Sequence, residues 1–346
     1  MRETFLGIDY PTLWYLVTGA LFSGYAILDG FDFGAGAWHL FLNKERSRRV
    51  ALNAIGPVWD GNEVWLVIGG GALFAGFPVF YATFLSSLYV PFMLFLVTLI
   101  FRAIAIEFRS KEEMSWWKKM WDVTYSVSSI SVAVLLGVVL GNILQGISIE
   151  ENYHYVGDGF FDFLNPYSIL VGLVTLCLFM THGGLYLLLK TDGKIYSKFE
   201  ILVKKSLIAF IVLFSMTTVY TLIYIPHLSD KFKQTPALFI VPVLAFLAIA
   251  NIPRHVTLKK YLSAFIFSSI TISLLLIIVA IELYPTLLIS TIDPKFNIDI
   301  YNAASSDKSL GIMLLFVVIG APLVAGYTIF VYKTFKGKVK LDEFSY

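Results

Sequence analysis

The sequence predicts an all-α polytopic membrane protein with about nine transmembrane helices. Of its 346 residues, 58% are hydrophobic and 14% are charged, whereas charged residues make up about a quarter of an ordinary soluble domain. The mean hydropathy is +0.76. The apolar runs are continuous rather than alternating, which favours helices, because a helix satisfies its own backbone hydrogen bonds inside lipid.

Nine apolar runs are close to the length of about 20 residues that crosses a hydrocarbon core. In chain order they cover 11–36, 54–76, 79–104, 121–144, 166–190, 204–226, 236–252, 261–284 and 310–333. The first run is too long for the core of a signal peptide, so we expect it to be retained as a span. Pro57 is expected in the first turn of the second span, where its missing N–H is not needed.

The distribution of Lys and Arg predicts the orientation of the chain. The loops after spans one, three, five and seven, together with the C-terminal tail, hold 21 of the 26 basic residues. Because short basic loops stay in the cytoplasm, the N-terminus is predicted outside and the C-terminus in the cytoplasm. That arrangement needs an odd number of spans, which agrees with nine.

No loop is long enough to form a separate domain, so residues 1–346 are predicted to form one integral membrane domain. We expect spans one to four (11–144) to form a first helix bundle and spans five to eight (166–284) a second. The ninth span (310–333) is then peripheral. A weak internal repeat supports a duplication, although matched glycines also arise by chance in membrane helices, so both interpretations stay open.

The most informative residues are ionisable side chains inside the spans, because a charge within the membrane is costly and marks a proton, ion or ligand path. Asp29 and Asp32 are three residues apart near the end of the first span and therefore share a helix face. Asp60 and Glu63 have the same spacing at the start of the second span. The predicted orientation places all four acids in the cytoplasmic half.

Two residues at the inner end of the third span or just past it are candidate partners for these acids. Arg102 lies at its inner end and Glu107 follows it. One interpretation is interfacial capping and loop salt bridges, which applies most readily to Asp32 and Glu107. The alternative is a relay of carboxyl groups that carries protons inward from the cytoplasm.

The histidines and the net charge exclude other classes of site. Only His182 lies in a span, where it is a candidate buried polar site or simply a hydrogen-bonding residue; His39 is expected at the inner surface. A haem or structural metal needs ligands at suitable spacing, and we therefore expect this chain alone to bind no metal. A net charge of +2 gives no electrostatic footprint for nucleic acid.

The stretch 56–78, GPVWDGNEVWLVIGGGALFAGFP, resembles subunit II of the cytochrome bd quinol oxidase family, which includes cyanide-insensitive relatives. The resemblance covers the first half of the chain by motif and the second half mainly by layout. The other motifs are LDGFDFGAG (28–36), FRAIAIEFRSK (101–111), MWD (120–122), GNILQG (141–146) and LNPY (164–167).

This resemblance implies a heterodimeric respiratory enzyme in a bacterial or archaeal cytoplasmic membrane. Such an enzyme oxidises quinol at the outer face and reduces oxygen to water, which generates proton motive force without pumping. Two b haems and one d haem belong to subunit I in that family, so this chain is expected to carry no direct catalytic residue. Further candidates are small single-span accessory subunits, and a structural quinone or lipid bound here.

Subunit II of the family supports its partner, contributes acids to a cytoplasmic proton route and lines an apolar path for oxygen. The acids that match its motifs are Asp29, Asp32 and Asp60. Glu63 is a departure where family members can carry Gln; an acid favours a relay and an amide favours hydrogen bonding only. Trp59 and Trp65 are predicted at the oxygen path or the subunit interface, with packing as the alternative for Trp65.

A secondary transporter with duplicated helix bundles is the competing hypothesis. The candidate repeat, the paired membrane acids and the glycine run at 69–71 favour it. The two classes differ in a simple property. A transporter purifies alone and colourless, whereas an oxidase subunit copurifies with a larger haem-bearing partner.

Overall fold

The computed structural model describes residues 4–157 and 159–341, and most of these residues are helical. Within those ranges the helices, numbered in chain order, are α1 (Tyr10–Trp38), α2 (Glu45–Ile55), α3 (Trp59–Gly76), α4 (Pro78–Ser87), α5 (Tyr89–Phe108), α6 (Ser115–Gln145), α7 (Pro166–Lys190), α8 (Gly193–Tyr224), α9 (Asp230–Gln234), α10 (Ile240–Thr257), α11 (Tyr261–Leu283) and α12 (Asp307–Thr334).

Strands occupy only short stretches outside the long helices. β1 (Thr4–Phe5) pairs with β2 (Ile8–Asp9), and β3 (Thr286–Leu288) pairs with β4 (Ile298–Asp299); both pairs are antiparallel. The second pair lies in the loop between α11 and α12. Neither pair is large enough to make a layer of its own, so the fold is a helical bundle.

Eight helices of the described chain are long and apolar enough to cross a membrane. They are α1, α5, α6, α7, α8, α10, α11 and α12. A ninth span exists if α3 and α4, which are bent by 117° relative to each other, count as one. The prediction of an all-α polytopic membrane protein is therefore confirmed, whereas the orientation and the division into two bundles remain predictions.

The predicted bounds of the second and third spans are wrong. Residues 79–104 do not form one helix, because α4 ends at Ser87 and α5 begins at Tyr89. The chain turns at Phe77, which has non-helical dihedral angles (φ −132°, ψ 64°). The physical reason is Pro78, which disfavours helical geometry at the residue before it and suits the first position of a new helix.

The second span also begins later than predicted. Residues 54 and 55 belong to α2, and α3 begins only at Trp59. Pro57 lies in the turn between these helices, not in the first turn of α3 as predicted. The α2 helix is amphipathic, with Leu52 and Ile55 buried, so it packs on the bundle instead of extending the span.

The two central helices begin with the same capping chemistry. The side chain of Asp9 accepts a hydrogen bond from the backbone N–H of Thr12 at the start of α1. Asn165 accepts from the N–H of Ser168 at the start of α7. Each helix also has a proline in its first turn, so both starts are fixed by side-chain caps and by a preset backbone angle.

Helices α1 and α7 cross at the centre of the molecule. A Cβ atom on Gly34 of α1 would overlap the carbonyl oxygen of Phe179, and one on Gly183 of α7 would lie 2.5 Å from the carbonyl oxygen of Phe31. The two backbones therefore touch where both helices carry glycine. From Asp29 to the end of α1 every residue is buried, so this last third of α1 is the core around which the other helices pack.

Candidate functional site

A buried ion pair lies at the buried last third of α1. Arg102 of α5 donates from Nη2 to Oδ1 of Asp29 at 2.7 Å, and both side chains are fully buried. The same guanidinium approaches Oε2 of Glu63 on α3 at 3.5 Å and lies over the ring of Phe33, 4.4 Å from its centroid. Three helices thus meet at one cation, which two carboxyl groups and an aromatic face surround.

Asp32 completes this group, which we call the carboxylate cluster (Asp29, Asp32, Glu63 and Arg102). It lies one turn after Asp29 on the same face of α1 and is fully buried. Its Oδ2 accepts a hydrogen bond from Nδ2 of Asn62 at 2.8 Å. The same Nδ2 donates to the carbonyl oxygen of Leu28 at 3.1 Å, and Oδ1 of Asn62 accepts from the hydroxyl of Tyr332 at 3.0 Å.

Two buried atoms of the cluster lack a hydrogen-bond partner within the described chain. They are Asp32 Oδ1 and Arg102 Nε. Such atoms in a native interior call for a bound water, an ion or a functional role. The hydroxyl of Tyr25, by contrast, lies within hydrogen-bonding reach of the Asp29 carboxyl group.

The other predicted acids lie at the edges of the cluster. Asp60 is exposed in the first turn of α3, although it is only three residues from Glu63. Glu107 is half-buried in the last turns of α5, beyond Arg102. The structure therefore brings Asp29, Asp32 and Glu63 together around Arg102 and leaves Asp60 at the surface of the chain.

The two predicted tryptophans occupy different environments on α3. Trp59 is 8% exposed and belongs to the main apolar core. Trp65 is half-buried, and its ring packs so closely on Gly24 of α1 that a Cβ atom there would lie 2.6 Å from it. Both residues therefore help to hold α3 against α1.

His182 lies on α7, in contact with the opposite side of α1. Its Nδ1 is 2.6 Å from the hydroxyl of Ser268 and its Nε2 is 3.1 Å from the carbonyl oxygen of Ile27. Its ring stacks on Phe265 at 4.4 Å. His182 is thus a fully buried hydrogen-bonding residue that links α7 to α1 and α11. Its contact on α1, Ile27, lies two residues before Asp29.

Sequence reasoning missed a second buried ionic group, which we call the Asp122 clamp (His39, Glu45, Arg48, Arg109 and Asp122). Asp122 of α6 is 2.5 Å from Nε2 of His39, 2.5 Å from Nε of Arg109 and 2.7 Å from Nη1 of Arg48. Arg109 also donates to Glu45 at 2.7 Å. His39 is fully buried rather than at the surface as predicted, because its ring nitrogen pairs with this carboxylate.

Charge in the Asp122 clamp is balanced by close pairing. Burial alone would lower the pKa of Arg109, but its hydrogen bonds to Asp122 and Glu45, and their charges, raise that pKa above its ordinary value. The clamp joins the ends of α1 and α5 to the beginnings of α2 and α6. A signal for it was present, because Arg109 and Asp122 lie in the motifs at 101–111 and 120–122.

Two buried histidines of the described chain are already engaged by protein groups. His182 has both ring nitrogens in hydrogen bonds. His39 pairs with Asp122 through Nε2, is 0% exposed and has Tyr125 edge-on at 5.1 Å. Among the residues that the structure describes, His, Cys, Asp and Glu form no group of three or more that could hold a metal ion.

The chain is similar to known proteins over nearly its whole length. The family model described as cytochrome bd terminal oxidase subunit II matches residues 10–335. The cytochrome bd-I ubiquinol oxidase subunit 2 of Escherichia coli (strain K12) is 30% identical, over 97% of each chain. The cytochrome bd ubiquinol oxidase subunit 2 of Bacillus subtilis (strain 168) is 32% identical, over 96% of this chain and 97% of that one.

The fold is also similar to one found in a solved oxidase. A chain of the structure titled "The structure of bd oxidase from Geobacillus thermodenitrificans" aligns with a TM-score of 0.78 at 19% identity, over 94% of this chain and 98% of that chain. At that identity the likeness concerns the fold alone. The family model and the two relatives span nearly the whole sequence. The chain therefore belongs to the cytochrome bd terminal oxidase subunit II family.

Proposed function

We propose that this chain supports a haem-bearing subunit I and carries protons from the cytoplasm towards its site of oxygen reduction. Membership of the family makes it a subunit of a terminal oxidase, an oxidoreductase complex of the bacterial inner membrane. A partner subunit is therefore implied. The observation that carries the proton proposal is the carboxylate cluster, in which Asp29 and Glu63 share the Arg102 guanidinium and Asp32 accepts a hydrogen bond from Asn62.

The composition of the cluster suits proton transfer. Three carboxyl groups outnumber one guanidinium, so a proton can reside on one carboxyl while Arg102 keeps an ionic partner. The acceptor Asp32 Oδ1 has no partner in the described chain. A buried water makes about three hydrogen bonds to such groups, and a water between two carboxyl groups gives a proton a path from one to the other.

The entry to this path is the start of α3. Asp60 is exposed there, and the side chain of Glu63 is 21% exposed while it approaches Arg102. A proton accepted at Asp60 or Glu63 is thus carried inward to Asp29 and Asp32, which are fully buried. Glu107, half-buried on α5, is a further acid on the same side in the proposed orientation.

The haems of the complex belong to the partner in this proposal, and the engagement of His39 and His182 by protein groups supports that placement. Two b haems and one d haem in subunit I supply electron transfer from quinol and oxygen reduction. Protons from quinol leave outside while this chain supplies protons from inside, so charge is separated without a pump. A structural quinone or lipid and small accessory subunits stay predictions, and the oxidase relatives do not favour the transporter hypothesis.

Oxygen access is the second proposed role of α3. Trp65 is half-buried between α1 and the exposed face of α3, and Trp59 lies one turn before Glu63 in the apolar core. Oxygen is apolar and dissolves in lipid, so an apolar path beside these two rings is compatible with oxygen entering the complex from the membrane. Packing against Gly24 accounts for Trp65 equally well, which leaves the oxygen role of both residues a prediction.

The test uses the Asp29→Asn and Asp32→Asn variants in the purified complex, with oxygen consumption and the haem spectrum measured on the same sample. We expect turnover to fall about ten-fold or more in at least one variant, since a positioned acid or base contributes at least that much, with haem content unchanged. Glu282→Gln, a half-buried acid at the far end of α11, is the matched control. Native turnover in both variants would refute the proton route, and loss of haem would assign the acids to assembly instead.

A further inference from the structure

Tyr332 connects the outermost helix to the carboxylate cluster. It lies in the last turns of α12, a helix whose apolar side chains are otherwise largely exposed. Its hydroxyl donates to Oδ1 of Asn62 at 3.0 Å, and its ring is 6.4 Å from that of Phe31 on α1. This hydrogen bond joins a peripheral helix to the centre of the molecule.

The hydrogen bonds of Asn62 leave its amide one favourable orientation. Its Nδ2 donates to Asp32 Oδ2 at 2.8 Å and to the carbonyl oxygen of Leu28 at 3.1 Å. If the amide turned over, its oxygen would face both of these acceptors, and its nitrogen would face the hydroxyl of Tyr332. Asn62 is 2% exposed, so bulk water cannot compensate for the wrong orientation.

The hydroxyl of Tyr332 therefore orients the Asn62 side chain. It donates a hydrogen bond to the amide oxygen of Asn62, so the amide nitrogen faces the carbonyl oxygen of Leu28 and the carboxyl group of Asp32. Without this donor, the buried oxygen of Asn62 has no partner in the described chain. The Asn62 side chain is then no longer held in the orientation that donates a hydrogen bond to Asp32.

We propose that Tyr332 is a positioning residue for Asp32, which acts through Asn62 and makes α12 part of the proton-carrying site. The inference rests on the proposed function, because it gives Asp32 a role in proton transfer. Tyr332 does not itself carry the proton in this account. It holds the donor that fixes the orientation of the Asp32 carboxyl group.

The structure offers a clean variant and a matched control. Tyr332→Phe removes only the hydroxyl and keeps the ring beside Phe31, so the packing of α12 is preserved. Tyr327 lies on the same helix and is 62% exposed, so Tyr327→Phe removes a hydroxyl that does not reach Asn62. Asn62→Ala removes the intermediary, and its combination with Tyr332→Phe tests whether the two residues act in one chain.

The experiment measures two properties of the purified complex, each normalised to haem. The first is the infrared difference band of the Asp32 carboxyl group, assigned by its loss in Asp32→Asn. The second is kcat for oxygen consumption together with KM for quinol. In Tyr332→Phe we expect a shifted band and a kcat about five-fold lower, the effect of one hydrogen bond, with KM unchanged; Tyr327→Phe stays native, and the double variant is no slower than Asn62→Ala.

The outcomes separate this inference from the proposed function. A native band and native kcat in Tyr332→Phe, while Asp32→Asn is slow, would overturn the positioning role and leave the proton route standing. A shifted band in Tyr332→Phe together with native turnover in Asp32→Asn would support the positioning contact and refute the proton route. Independent, multiplicative losses in Tyr332→Phe and Asn62→Ala would also overturn action through Asn62.

Discussion

At the scale of single residues, the chain is organised by Arg102. A fully buried guanidinium is tolerated only when carboxylates and other favourable contacts replace water. Arg102 has Asp29 at 2.7 Å, Glu63 at 3.5 Å and the Phe33 ring at 4.4 Å. Its positive charge is therefore what allows acids to accumulate in the core of a membrane protein.

Arg102→Gln is predicted to destabilise the complex strongly. The substitution leaves Asp29 buried beside an uncharged partner, and removal of one member of a buried pair costs about 3–5 kcal/mol. Arg102→Gln combined with Asp29→Asn should recover part of this loss, because two neutral amides can hydrogen-bond. Thermal unfolding of the purified complex measures both effects.

The control for this cycle is the exposed pair between Lys233 and Asp230, whose side chains are 62% and 53% exposed. Lys233→Gln should change the unfolding free energy by about 1 kcal/mol or less, as surface pairs do. If the Arg102→Gln complex were as stable as the Lys233→Gln complex, Arg102 would not be the organising charge.

The sequence predicted only part of this residue-level arrangement. Asp29, Glu63 and Arg102 were recognisable because charges inside apolar runs are costly and therefore conspicuous. Asn62 and Tyr332 are uncharged, so they do not stand out inside an apolar run. They are also 270 residues apart in the chain, and no sequence pattern indicated that α3 contacts α12. Asp122 lies at the start of a predicted span (121–144), where an acid is usually interfacial, so its burial depended on tertiary contacts.

At the scale of elements, the crossing of α1 and α7 determines where the site lies. Gly34 and Gly183 allow the two backbones to touch, and α3, α6 and α11 also pack on α1. His182 then holds the carbonyl oxygen of Ile27 from the α7 side, while Asn62 holds that of Leu28 from the α3 side. Close helix packing thus positions the turn that carries Asp29 and Asp32.

Gly34→Ala is predicted to reduce the yield of assembled complex. The new methyl group would overlap the carbonyl oxygen of Phe179, a backbone atom that cannot rotate away, and overpacking of a core costs about 1–3 kcal/mol or more. Gly19→Ala on the same helix meets nothing within 4 Å and should be neutral. Haem-containing complex per gram of membrane is the measurement, and equal yields from the two variants would contradict the crossing.

The elements differ in how well they could be predicted. Hydropathy identified α7 and α11 closely, since Lys190 ends the first of these apolar runs and Lys259 and Lys260 precede the second. It merged α4 with α5 because the break between them, at Leu88, contains no charged residue, glycine or proline. The 117° bend at Phe77 is likewise a change of direction without a change of composition, and only Pro78 indicated it.

At the scale of the whole molecule, proton uptake from the cytoplasm requires the predicted orientation, because that orientation places the carboxylate cluster on the cytoplasmic side. The chain has a single cysteine, Cys177, so Cys177→Ser gives a background for labelling. In that background, Lys295→Cys in the loop before α12 should react with an impermeant maleimide in intact cells. Lys336→Cys in the C-terminal tail should react only after lysis, and the opposite pattern would place the cluster on the wrong side.

The most direct measurement of the central claim is proton uptake by the complex in vesicles during oxygen reduction, followed with a pH dye on the cytoplasmic side. In Asp32→Asn we predict uptake slowed about ten-fold or more with the haems still reducible by quinol, while Glu282→Gln takes up protons at the native rate. Native uptake in Asp32→Asn, with full haem content, would contradict the claim that this chain carries the protons.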